Sequence, residues 1–167
     1  MAIVPLIEPS ENEFLAELER KGKRENHFFR LMARKPEVLK HFVPLYGVIM
    51  GPGATDRRTK ELVYLAVALS NECPYCTAAH KAGAAKAGIS EEEIRALETG
   101  QYQDFSVPER AAIQYARELT EEASAFETGR GLFGHFNDEQ IVEITLVIAM
   151  ANFTNRLNNG LGLQPEP

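Results

Sequence analysis

A chain of 167 residues, 44% of them hydrophobic and 25% charged, with no long polar tract, has the size and composition of one folded domain, not of a disordered or fibrous chain. Its formal net charge of -6 has the wrong sign for general binding to a phosphate backbone, which needs clustered Lys and Arg, so nucleic acid is not an expected partner. The N-terminal MAIVPLIEPSENEF lacks a basic start and breaks its apolar run at Pro5, and no window reaches the ~18 uninterrupted apolar residues of a membrane span, so the expected location is the cytoplasm.

In chain order, about eight helices are expected, at 10–21, 26–33, 36–49, 56–71, 74–87, 91–99, 107–123 and 138–158. Four starts carry a reciprocal cap, a small polar residue followed three positions later by Glu or Gln: Ser10 with Glu13, Ser90 with Glu93, Ser106 with Glu109, and Asn137 with Gln140. Breaks are expected at Gly22, Pro36, the G-P-G at 51–53, Gly88, Gly100 and the glycine-rich 129–134. The one basic run, Lys21 to Arg24, is short, is followed by Glu25, and reads as a solvated loop. Apolar runs are long and rich in Ala and Leu, and hairpin turns are missing, so the fold class is all-α: a single-domain helical bundle over 1–167.

Two segments are apolar nearly all round, LVYLAVAL at 62–69 and ITLVIAM at 144–150, and are expected in the bundle centre or in a subunit interface. They also resemble each other at an offset of 82: Asp56 meets Asp138, Glu61 meets Glu143, and Cys73 and Cys76 meet Asn155 and Asn158. This reads as an internal pseudo-repeat, 56–80 and 138–162, or as chance similarity between two buried helices.

The chemistry-bearing stretch is ECPYCTAAHK, 72–81, which holds both cysteines of the chain. A C-x-x-C in a reducing compartment points to redox or metal chemistry more than to a structural staple. Pro74 suits the first helical position, which puts Cys73 at the N-cap and Cys76 one turn in, at the positive end of a helix dipole that favours thiolate. His80 follows Cys76 by four residues and is expected on the same face, within reach of the sulfur as base or imidazolium. Glu61, on the apolar helix before, needs a partner to offset its burial, and His80 is the candidate. The dipole favours Cys73 as the more acidic thiol and the histidine favours Cys76; a specific base at contact distance decides for Cys76.

The pattern Glu61, Cys73, Cys76 and His80, E-x11-C-x2-C-x3-H, resembles that of the AhpD-like alkylhydroperoxidases of the carboxymuconolactone decarboxylase superfamily, over about residues 30–160. The ending ANFTNRLNNGLG is similar to that of the peroxidase-related branch. The resemblance implies an all-helical subunit in homo-trimers or homo-hexamers, and reduction of small organic hydroperoxides without haem, metal or other cofactor. It implies that Cys76 attacks the peroxide, Cys73 resolves the sulfenic acid, Glu61 and His80 relay protons, and a dithiol protein, lipoyl-bearing or thioredoxin-like, restores the pair. Tyr75 departs from the best-known branch, which has histidine between the cysteines, and could serve there only as a phenol.

Other readings of the same residues are a zinc site, with Glu61 or His135 as fourth ligand but no second C-x-x-C, and a general dithiol–disulfide oxidoreductase or redox sensor. A lactone decarboxylase of the same superfamily does not use a dithiol, and a non-enzymatic interaction protein is a further alternative. His27 and His41 read as surface or boundary residues. His135, between Phe133 and Phe136, is a candidate to line a pocket or to cap the last helix, and Tyr46 and Phe153 are candidates for a cavity wall. The amides Asn152, Asn155 and Asn158 are expected at a helix end or subunit contact, outside catalysis.

Overall fold

The computed structural model describes residues 2–21 and 26–166. Among them are nine α-helices: α1 (Glu13–Arg20), α2 (His27–Met32), α3 (Pro36–Met50), α4 (Arg57–Ser70), α5 (Pro74–Lys86), α6 (Glu91–Thr99), α7 (Val107–Glu122), α8 (Phe126–Gly131) and α9 (Asp138–Leu161). No strand occurs among the described residues, and the protein is all-α. Of the basic run, Lys21 closes α1 and pairs with Glu17 at 2.6 Å, while residues 22–25, with the expected break at Gly22, lie outside the described residues.

Three of the four reciprocal caps form as expected, at Ser90, Ser106 and Asn137. The first is displaced. Pro9 begins a short 3-10 turn over Pro9–Glu11, and Asn12, in extended backbone, caps α1 by accepting from the Leu15 N–H at 3.1 Å. A proline supplies the helical φ without a donor, so the turn starts at Pro9, and Ser10 lies inside it. α8 is the helix that the glycine-rich stretch concealed. It packs on α7, and a Cβ at Gly129 would stand 3.0 Å from the Tyr115 ring, so here glycine allows close helix packing instead of breaking the chain.

α4 is the axis of the bundle. Every residue from Thr59 to Ala68 is buried, as a helix with no polar face requires, and α5, α7 and α9 pack around it. α9 is covered by this chain on one face only. Ile144, Val147 and Ile148 are buried, but Val142, Leu146 and Phe153 line an exposed stripe, so its apolar residues face two ways. α9 runs beside α4 in the same direction, since Lys60 meets Glu143 and Asn71 meets Asn152. Among the described residues no helix is long and apolar enough to cross a membrane.

Candidate active site

The turn from α4 into α5 positions the two cysteines. Glu72 takes a positive φ of 48°, and the Glu72 and Cys73 N–H groups bond back to the Leu69 and Ala68 carbonyls, at 3.0 and 2.9 Å. This is the Schellman arrangement that ends a helix, here with glutamate where glycine is usual. It delivers Cys73 to the N-cap of α5 with Pro74 in the first turn, as the sequence predicts. Both thiols are free, and Cys73 and Cys76 are 1% and 3% exposed.

Cys76 is the more acidic thiol. The hydrogen bond from Cys73 is the largest influence lowering its pKa; burial opposes, and Asn158, Asn155 and Thr154 add to the lowering, so the value falls to about 7. Cys73 moves the other way, raised by its hydrogen bond to Cys76, by burial and by the neighbouring Cys76 charge. The dipole argument for Cys73 is thus outweighed by side-chain donors gathered on Cys76.

Glu61 and His80 meet as expected: His80 Nδ1 lies 2.7 Å from Glu61 Oε2, and the carboxylate is fully buried. Burial raises the Glu61 pKa, but the His80 hydrogen bond and the charges of His80 and Arg57, the latter an ion pair to Oε1, outweigh it and hold the group below its ordinary value. Gly83 makes room for this carboxylate, since a Cβ there would stand 2.7 Å from Glu61 Oε1. Glycine inside a helix costs roughly 1 kcal/mol against alanine, and the crowding explains why α5 carries it.

The other face of His80 differs from the expectation of direct contact with the Cys76 sulfur. Its Nε2 is 3.2 Å from the Tyr46 hydroxyl, and its ring stacks on Tyr64 with centroids 3.4 Å apart and planes 12° from parallel. The hydrogen bond to Cys76 comes instead from Asn158, whose Nδ2 is 3.1 Å from Sγ. His80 therefore lines the same cavity as Cys76, with the Tyr46 hydroxyl bonded to its Nε2. Burial raises the Tyr46 pKa, and so does the Glu61 charge, which keeps the phenol protonated.

The cavity at Cys76 has a volume of about 90 Å³, and Cys76 and His80 line it together with Phe28, Phe42, Tyr46, Tyr64, Tyr75 and Asn158. Tyr75 lines it, and its hydroxyl is bonded to groups other than the sulfur. That hydroxyl accepts from the Phe28 N–H at 3.2 Å and shares its proton between Asn26 Oδ1 and Glu166 Oε1, both at 2.9 Å. His135 is exposed at the end of the turn Leu132–Gly134 and does not line this cavity. Phe153 stacks on Phe42, with centroids 5.8 Å apart, from outside the lining. Among the described residues no group of three His, Cys, Asp or Glu side chains is placed to hold a metal ion.

Of the α9 amides, Asn152 and Asn155 meet a helix end, as expected, and Asn158 differs. Asn71 Nδ2 donates to Asn152 Oδ1 at 2.9 Å and to Asn155 Oδ1 at 3.2 Å, so these groups tie α9 to the end of α4 within one chain. Asn158 belongs to the site itself. The signal that could have found it is the offset of 82, which aligns Asn158 with Cys76, the pair that touches.

The model of the carboxymuconolactone decarboxylase family matches residues 36–118, a span that includes Glu61, Cys73, Cys76 and His80. The uncharacterised protein YdfG of Bacillus subtilis is 31% identical over 111 residues, which make up 64% of this chain and 76% of that one. An uncharacterised peroxidase-related protein from Ralstonia eutropha, with an alkylhydroperoxidase AhpD core, superposes with a TM-score of 0.86 at 20% identity, over 99% of this chain and 92% of that one. The debrominase Bmp8 superposes with a TM-score of 0.83 at 21% identity, over 98% of this chain and 92% of that one. At such identities the likeness to solved structures is one of fold.

Proposed function

The chain belongs to the carboxymuconolactone decarboxylase family, and from its site we propose that it is a thiol peroxidase, reducing small organic hydroperoxides through a dithiol–disulfide cycle of Cys73 and Cys76. The observation that carries this reading is a buried, acidified thiol sharing one small cavity with a Glu61–His80–Tyr46 hydrogen-bonded chain. The debrominase relative means that the fold alone does not choose the substrate, so the reading rests on these residues.

In the proposed cycle Cys76 ionises and its proton passes to the His80 side. The thiolate attacks the hydroxyl-bearing oxygen of ROOH, the O–O bond breaks, and Cys76 sulfenic acid and an alkoxide result. Tyr46 gives its proton to the alkoxide and regains one from His80, whose Nε2 faces it, while Glu61 holds the opposite nitrogen. The Cys73 thiol then attacks the sulfenic sulfur, releasing water and closing the disulfide. A dithiol reductant, lipoyl-bearing or thioredoxin-like, reopens it and leaves as its own disulfide. No metal or other cofactor has a part in this cycle, and the cytoplasm is the proposed setting.

The cavity supports this reading, because it gives a small molecule a route to Cys76, which is only 3% exposed. The exposed stripe of Val142, Leu146 and Phe153 on α9, with Leu45 and Val48 on α3, supports a homo-trimer or homo-hexamer. The test is to count free thiols before and after one equivalent of cumene hydroperoxide, with zinc measured on the same sample. Loss of two thiols per chain with formation of one cumyl alcohol is expected; unchanged thiols with one bound zinc overturns the proposal.

A further inference from the structure

We propose that Asn158 is the substrate-orienting residue of this site: its Nδ2 fixes the Cys76 sulfur, and its Oδ1 accepts the O–H of the incoming hydroperoxide. This rests on the peroxidase reading and narrows it, since an acceptor beside the sulfur selects electrophiles that carry an O–H.

The side chain is only 1% exposed, projects from the last turns of α9, and lines the cavity together with Cys76. Its Nδ2 is 3.1 Å from Cys76 Sγ, and its Oδ1 is buried with no hydrogen-bond partner. Turning the amide over would point the oxygen at the sulfur that carries the negative charge, so the donor end belongs there. A buried carbonyl oxygen left without a donor is costly, and such a group in a native site asks for a partner that arrives later.

The rest of the wall sharpens the point. His80 is bonded through both nitrogens, to Glu61 and Tyr46; Tyr75 is bonded to Asn26, Phe28 and Glu166; Tyr64 and Thr154 are bonded to each other. Among the described residues of the cavity, Asn158 Oδ1 is the buried side-chain polar atom that remains unpaired. A hydroperoxide placed there donates its O–H to Oδ1, which sets the hydroxyl-bearing oxygen beside Sγ, while the alkyl-bearing oxygen is free to face Tyr46. Phe28 and Phe42 receive the apolar group. The titratable groups around Cys76 are Cys73 at the start of α5, His80 and Tyr75 on α5, Tyr46 on α3 and Tyr64 on α4, with Glu61 behind His80.

The test compares two electrophiles on the reduced protein: cumene hydroperoxide, which carries an O–H, and iodoacetamide, which lacks the peroxide O–H. Each variant is read on the plateau of its own pH profile, where the thiolate is fully formed, so that a shifted thiol pKa does not enter the ratio of the two rates. Asn158→Leu, close in size, is expected to lower the hydroperoxide-to-iodoacetamide ratio about tenfold. Asn158→Asp keeps an acceptor oxygen and loses the donor: the ratio stays within about threefold of wild type while the alkylation midpoint rises by about one pH unit or more. A wild-type ratio in Asn158→Leu overturns the acceptor role, and an unmoved midpoint in Asn158→Asp overturns the donor role. If the Leu variant does not fold, the Asp variant decides, because a ratio lowered tenfold there also removes the acceptor. A wild-type protein whose thiols ignore cumene hydroperoxide but alkylate normally overturns the peroxidase reading itself, a result distinct from either.

Discussion

Glu61 on α4 and Glu143 on α9 are two buried or nearly buried carboxylates at matching places in parallel helices, and each lies against a glycine, Gly83 or Gly53. Their partners differ. Glu143 takes a hydrogen bond from Lys60 Nζ at 2.7 Å and another from the Thr55 N–H, and Lys60 spends its remaining donors on the Ile49 and Gly51 carbonyls at 3.0 and 2.7 Å. That carboxylate, lowered in pKa against its own burial by Lys60 and the Thr55 N–H, locks the G-P-G loop between α3 and α4. Glu61 faces Arg57 on one oxygen and His80 on the other, and His80 goes on to Tyr46. A lysine with every donor committed ends a network. A histidine, with two nitrogens that exchange a proton, extends it to a cavity.

The largest effect expected is at the dithiol. Cys76→Ser removes all peroxide turnover, whereas Cys73→Ser still forms one sulfenic acid per chain that dimedone captures; sulfenic acid in the Cys76 variant instead would reverse the assigned roles. Glu61→Gln should lower turnover about 100-fold, since it frees His80 from its fixed tautomer, and steady-state kinetics with folded protein checked by circular dichroism measures it. Tyr46→Phe removes the hydroxyl between His80 and the cavity and should cost about tenfold in turnover, with the alkylation midpoint of Cys76 unmoved. Glu143→Gln completes the contrast. It should leave turnover per folded molecule unchanged while lowering unfolding free energy by about 3 kcal/mol, because the Lys60 side chain is fully buried. A urea midpoint that does not move would show that the two carboxylates are not opposed in role.

Much of this architecture is legible in local spacing. The caps at Ser90, Ser106 and Asn137, the N-cap at Cys73 and the buried run of α4 follow from contacts three or four residues apart or from the polarity of one helix. The Glu61–His80 pair was readable too, because a lone carboxylate on an apolar helix demands a partner and the chain supplies few. α8 was not, since glycine marks a break unless a neighbouring ring, here Tyr115, takes up the space that glycine leaves. The sequence leaves the two alternatives for α9 open for a related reason: an apolar run does not say whether its second face is covered by the same chain or by another.

What the sequence by itself determined is an all-α chain with a C-x-x-C at a helix start and a carboxylate–histidine pair behind it. Those features depend on backbone caps, proline geometry and the cost of an unpaired buried charge, all of which act over short separations or on a single group. Only the tertiary structure decided what touches the reactive sulfur. His80 meets Tyr46 across 34 residues and Cys76 meets Asn158 across 82, because α3 and α9 close over α5 from distant parts of the chain. Packing of the bundle, which no local period encodes, thus gives the histidine a phenol and the thiolate an amide.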